Sequence, residues 1–129
     1  MVRILLFPVM VLIIYIVLAF GFDIYTIFPW FDIPFHAAGG LSIGWAGVLL
    51  INELEKRKLV GHINKWVIVL FSLSLVALIA ILWELHEFIF QLYFPPEIPM
   101  TLDDTMLDFV MGLLGGLFGS VFVSGRNSK

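Results

Sequence analysis

Four long apolar stretches alternate with short polar breaks along the chain, at about residues 4–20, 35–51, 66–90 and 105–123. One bilayer crossing takes roughly 20 apolar residues, and each stretch is close to that length. None shows the period-two alternation of a barrel strand, and backbone in hydrocarbon must satisfy its own hydrogen bonds. The pattern therefore predicts an all-α, polytopic membrane protein. It is a four-transmembrane-helix bundle formed as a single integral membrane domain over residues 1–129, multi-pass in the cell membrane with the lipid bilayer as its first partner. Pro34 falls in the first turn of the second helix, where its missing N–H is tolerated. The first stretch reads as a retained helix rather than a cleaved signal peptide. Its apolar run exceeds the usual h-region, and Ala19-Phe20-Gly21 is a poor small-x-small cleavage site.

Composition supports the pattern. Of 129 residues 61% are hydrophobic and 13% charged, and the mean hydropathy is +1.07. A soluble domain of this size could not bury so much apolar surface in one core. The chain has no cysteine, which excludes disulfides, thiolate metal sites and cysteine nucleophiles. A net charge of −3 with no basic patch argues against a nucleic-acid partner.

Charge in the breaks orients the bundle. No Lys or Arg falls between Gly21 and Asp32 or between Gln91 and Asp104. The basic residues are Arg3, Lys56, Arg57, Lys58, Lys65, Arg126 and Lys129. By the positive-inside rule both termini and the middle loop are cytoplasmic, with Tyr25, Trp30 and Tyr93 in the outer aromatic belt.

The apolar pattern is broken by three pairs at helical spacing: Asp32-x-x-x-His36, Glu84-x-x-Glu87 and Asp104-x-x-x-Asp108. An acid at mid-bilayer costs roughly 2.5–3.5 kcal/mol on insertion scales. All three pairs lie toward the outer face, and antiparallel packing through short loops makes their helices neighbours. Helical phase, at about 100° per residue, turns them inward. Asp104, Asp108, Gly112, Gly115 and Gly119 share an arc of about 80°, and Asp32, His36, Gly39, Gly40 and Gly47 share about 100°. Ala77, Ala80, Glu84, Glu87 and Gln91 share another of about 80°. Small residues mark faces where membrane helices touch, and such glycine faces also offer an oligomer interface. His86 points roughly 160° from Glu84.

Several of these residues have simpler roles. Asp32 suits an N-cap before Pro34, and Thr101-x-x-Asp104 suits a capping box. Asp103 is a solvated loop acid near a helix N-terminus. His36 has the alternative of a neutral packing residue, His62 of a solvated loop residue and His86 of an outer-interface residue. Trp45, Trp83 and the phenylalanines read as lipid-facing or packing residues. Glu84, Glu87 and Asp108 lie at least a turn inside their helices and have no capping role; their structural alternative is a protonated, hydrogen-bonded clamp between helices.

Crowded carboxylates in a low dielectric cannot all ionise unpaired, and no Lys or Arg is at hand. Protons, a metal or a cationic ligand remain. An oxygen-rich set with one imidazole suits a divalent metal, Mg²⁺, Mn²⁺, Ca²⁺ or Fe²⁺, better than structural zinc. The expected catalytic or ligating core is Glu84, Glu87, Asp108 and His36, with Asp104 and Asp32 completing a metal set. The expected substrate is a lipid-linked or cell-envelope molecule, polarised by the metal or served by a general acid–base pair. A proton- or cation-coupled transport subunit and a purely structural protein are the alternatives. No polar path continues inward past Gly47 and Gly112, where the facing residues are small or apolar. Whether the chain is an enzyme is left open.

Three segments in order, Asp32-x-x-x-His36-x-x-x-Gly40, Trp83-Glu84-x-x-Glu87-Phe88 and Asp104-Thr105-x-x-Asp108 followed by Gly115-Gly116, carry a resemblance. The stretch from about Asp32 to Gly119 resembles the YjdF-like family of small inner-membrane proteins. It is more distantly similar to VanZ-like proteins, named for low-level teicoplanin resistance. Those proteins carry an Arg before the last helix and an Asn four positions after its Asp; this chain has no such Arg and places Gly112 at the Asn position. The YjdF-like resemblance implies a multi-helix inner-membrane protein and names no reaction.

Overall fold

In the computed structural model, which describes residues 2–22, 24–94 and 101–126, every apolar stretch forms a helix. Helix α1 covers Val2–Ile16 and runs on through a wider π turn, Val17–Gly21. A single helical turn, α2 (Ile24–Ile27), precedes α3 (Asp32–Lys56), α4 (Lys65–Tyr93) and α5 (Leu102–Arg126). Four of these are long and apolar enough to cross a membrane: Arg3–Gly21, Asp32–Lys56, Lys65–Tyr93 and Leu102–Gly125. Their outward faces carry exposed Leu, Ile, Val and Phe throughout. In water that surface would be untenable; in lipid it is solvated. Residues 95–100 and Lys129 lie outside the described residues.

The helices extend past the apolar windows into their polar flanks, because local caps continue them there. Asn64 accepts from the Trp66 N–H at 2.9 Å and starts α4. The Asp104 carboxylate accepts from the Thr101 N–H (3.2 Å) and hydroxyl (2.6 Å), while the Thr101 hydroxyl accepts from the Asp104 N–H (3.2 Å). That is the expected capping box. At the end of α3, Lys58 takes φ 57°. The Lys58 N–H then reaches the Glu55 carbonyl and the Leu59 N–H the Leu54 carbonyl, a Schellman closure that turns the chain toward α4.

The bundle is organised by a glycine seam between α3 and α5. A Cβ placed at Gly40 would run into the Gly112 backbone carbonyl, at Gly44 into that of Gly116, at Gly115 into that of Ala37 and at Gly119 into that of Leu41. Only residues without side chains allow this backbone approach. Contacts advance along both helices together, so α3 and α5 run parallel, with α4 antiparallel against both. The expected antiparallel packing of successive helices holds for α3 with α4 and for α4 with α5, and the parallel approach of α3 to α5 is an addition to it. Gly47 and Gly116 serve α4 instead, packing on Ser72 and Val76, while nothing lies within 4 Å of a Cβ at Gly39. The inward faces inferred from helical phase thus divide among different partners. Gly44, outside the inferred face, belongs to the seam.

Below the seam, Val48, Ile51, Ile68 and Val123 form an apolar core capped by Trp45, Leu49, Leu54 and Ile63. Fully buried Ser42, Ser72 and Ser120 bond back to carbonyls of their own helices, which makes them small and nearly apolar to their neighbours. Asn52 Nδ2 and Ser124 Oγ are buried without a partner on the basic side of the seam, so the inner facing residues are not all small or apolar as expected. Helix α1 differs from the others. None of its described side chains is buried, and it leans on α3 through Phe7 against Trp45 (5.9 Å between rings) and Tyr15 against Phe35 (4.9 Å).

Candidate functional site

The parallel register that sets Gly40 on Gly112 brings His36 beside Asp108 one turn earlier. Helix α4 adds Glu84 from the other side. His36 Nε2 lies 3.5 Å from Asp32 Oδ1, 3.8 Å from Glu84 Oε1 and 3.8 Å from Asp108 Oδ2. One imidazole nitrogen therefore faces carboxylates from three helices. Two sets of potential ligand atoms lie within 4.8 Å of one another: His36, Glu84 and Asp108, and Asp32, His36 and Glu87. His36 belongs to both.

These separations carry chemical information. Direct N–H···O bonds are about 2.7–3.2 Å, and the three contacts are all longer. Oxygen ligands about 2.1–2.5 Å from a shared cation sit roughly 3.0–3.5 Å or more apart. The spacing leaves room for an ion among these atoms, and it is also that of ion pairs around a protonated imidazole.

Burial sharpens the point. Glu84 and Asp108 are 6% and 4% exposed, and both Glu84 carboxylate oxygens are buried with no hydrogen-bond partner. The Thr105 hydroxyl approaches Glu84 without reaching bonding geometry. An unsatisfied buried carboxylate costs several kcal/mol, so Glu84 calls for a proton or a cation. Among the described residues no Lys or Arg pairs with any acid of the cluster.

A second layer holds the open side. The Tyr25 hydroxyl donates to Asp32 Oδ1 at 3.0 Å and lies 3.3 Å from the Tyr15 hydroxyl. Burial pushes the Tyr25 phenol well above its ordinary range, with the Tyr15 contact and the Asp32 charge adding to it, so it remains a donor at neutral pH. Tyr15 in turn packs edge-on against Trp83, 5.2 Å between rings. Sequence reading placed Tyr25 in an aromatic belt and gave Tyr15 no role. Its seven-residue separation from Asp32 across a turn hides the contact.

The structure brings Asp32, His36, Glu84, Glu87 and Asp108 together, and it leaves Asp104 out. Asp104 is exposed and its carboxylate is committed to the Thr101 cap, which corrects its inclusion in the ligand set. Asp32 departs from its expected capping role: Phe31 occupies the N-cap without a side-chain bond, and Asp32 is turned to Tyr25 and His36 instead. His86 is exposed, stacked on Phe90 and tilted against Trp83, and His62 is 93% exposed beside Glu55; neither approaches the cluster.

Beside the cluster a groove of about 440 Å³ opens between α1, α3 and α4. Asp32, His36 and Gly112 line it at the acidic end, and apolar side chains line the rest.

No curated protein and no solved structure matches the chain. A family described as "Predicted membrane protein (DUF2238)" matches residues 2–129, and it lends no support to the more distant VanZ-like resemblance. The match spans all four membrane-length helices and every residue of the cluster, and the chain belongs to this DUF2238 family of predicted membrane proteins.

Proposed function

We propose that this multi-pass membrane protein holds a divalent cation between His36, Glu84 and Asp108 and uses it to bind or act on a lipid or cell-envelope molecule. Asp32, which lines the groove, and Glu87 flank the ion. The observation that carries the reading is the Glu84 carboxylate, buried without a hydrogen bond 3.8 Å from His36. A cation satisfies both of its oxygens and offsets the charge of the acids at once. The single imidazole among oxygens favours Mg²⁺, Mn²⁺, Ca²⁺ or Fe²⁺. The distribution of basic residues argues for this end at the outer face.

A transport role finds less support. Between the cluster and the buried pair Asn52 and Ser124, the seam is closed by backbone-to-backbone packing at Gly40–Gly112 and Gly44–Gly116, which leaves no space for a file of ions or water.

Elemental analysis of protein purified in mild detergent tests the reading. We expect one divalent metal per chain in wild type and in Asp104→Ala, and its loss in Glu84→Gln and Asp108→Asn. Equal metal content in wild type and both site variants would overturn the proposal.

A further inference from the structure

We infer that the groove between α1, α3 and α4 takes the single hydrocarbon tail of a phosphate-headed amphiphile, whose head meets the cation at His36. This rests on the cation-site reading and names its ligand.

The first argument is continuity. Asp32, His36 and Gly112 line the groove and also belong to, or adjoin, the cluster, so an occupant of the groove ends against the ion. The second is polarity. Moving away from those residues the wall is apolar apart from Ser42, whose hydroxyl is bonded back to the Gly39 carbonyl, with Leu12, Ile43 and Ile79 midway and Leu5, Ala46 and Leu75 at the far end. A molecule matching this wall is charged at one end and hydrocarbon along the rest.

The third argument is size. Along α1 the wall runs from Leu5 to Tyr15, roughly 15 Å at 1.5 Å per residue. That is half of a hydrocarbon core about 30 Å thick, the depth of one leaflet. The volume of about 440 Å³ lies at the lower end of the roughly 300–1,000 Å³ typical of ligand pockets. One chain fits this space better than the two of an ordinary phospholipid.

The head follows from charge. Four acids and one imidazole repel an anion unless a cation intervenes, and hard divalent ions are commonly held by one or two carboxylates plus a ligand's phosphate oxygens. The groove side of the ion is where such oxygens enter. Asp32, which lines that end, is held in place by the Tyr25 hydroxyl.

Gly39 supplies the test. It lines the groove, nothing lies within 4 Å of its virtual Cβ, and its φ is not positive. A larger side chain there starts in open space on the groove wall, and Mn²⁺ binding reports whether it disturbs His36. The measurement is binding of radiolabelled hexadecyl phosphate to the purified full-length protein in mild detergent, with and without Mn²⁺, alongside Mn²⁺ binding followed by electron paramagnetic resonance. Wild type should bind the phosphate saturably and only with Mn²⁺. Gly39→Leu should bind Mn²⁺ as wild type does and bind hexadecyl phosphate at least about tenfold more weakly. Ala80→Phe, from the α4 wall, provides the same plug if Gly39→Leu does not fold.

If the plugged variants bind hexadecyl phosphate as wild type does while Mn²⁺ binding is normal, the tail assignment fails and the cation reading stands. If hexadecylamine binds in place of the phosphate and needs no Mn²⁺, the head assignment fails. If wild type binds no Mn²⁺, the cation reading fails and the inference falls with it.

Discussion

The two sides of α3 use the same residue type to opposite ends. Toward α5, Gly40 and Gly44 let two backbones touch, and a methyl group at either position would strike a carbonyl. Toward α1 and α4, the adjacent Gly39 faces open space and lines the groove. A glycine in a membrane helix is therefore not by itself a contact signal. In the seam it fixes register, and register is what sets His36 against Asp108. In the groove it leaves room. The cluster lies where the closed side and the open side meet.

Single methyl groups should separate the two sides. Gly40→Ala is expected to destabilise the protein by about 1–3 kcal/mol, since overpacking against backbone cannot be relieved by a rotamer change. It should also weaken cation binding by moving Asp108 from His36. Thermal unfolding in detergent and metal content both report it, and a Gly40→Ala protein as stable as wild type would remove the seam from the account. Gly39→Ala should act with smaller magnitude and opposite sign. Replacing a helical glycine at an open position gains about 0.5–1 kcal/mol from the unfolded chain's lost freedom. Its melting temperature should rise slightly with metal content unchanged; a clear loss of stability would show that the Gly39 face is packed after all.

Much of this was legible in the sequence, and the failures share a cause. The four spans follow from apolar length, because hydrocarbon imposes helix and length together. Glu84, Glu87 and Asp108 were legible because an acid inside such a helix has no solvent to explain it, and His36 because helical phase set it on the same inner side. His86 was excluded correctly, since half a helical turn separates it from Glu84. Phase alone did not resolve a face of 100° that touches two neighbours. Gly39 and Gly47 were assigned to one contact surface, yet the first meets the groove and the second meets Ser72 on α4. Gly44, decisive for the register, fell outside the inferred arc. Asp32 and Asp104 show the limit of local rules. Both had capping sequences, but Asp104 closes a box with Thr101 while Asp32 is drawn to Tyr25, seven residues upstream. The contact depends on how α2 folds back over α3, which no spacing rule specifies. The groove was not legible at all, because it arises from how loosely α1 leans on its neighbours.

The central claim is that His36 ligates a divalent cation together with buried carboxylates of α4 and α5. Pulsed electron paramagnetic resonance of Mn²⁺-loaded protein, prepared with ¹⁵N-histidine, tests it most directly. The account predicts coupling from a single imidazole nitrogen, retained in His62→Gln and His86→Gln and lost in His36→Gln. A Mn²⁺ signal without nitrogen coupling, or coupling that survives His36→Gln, would contradict it.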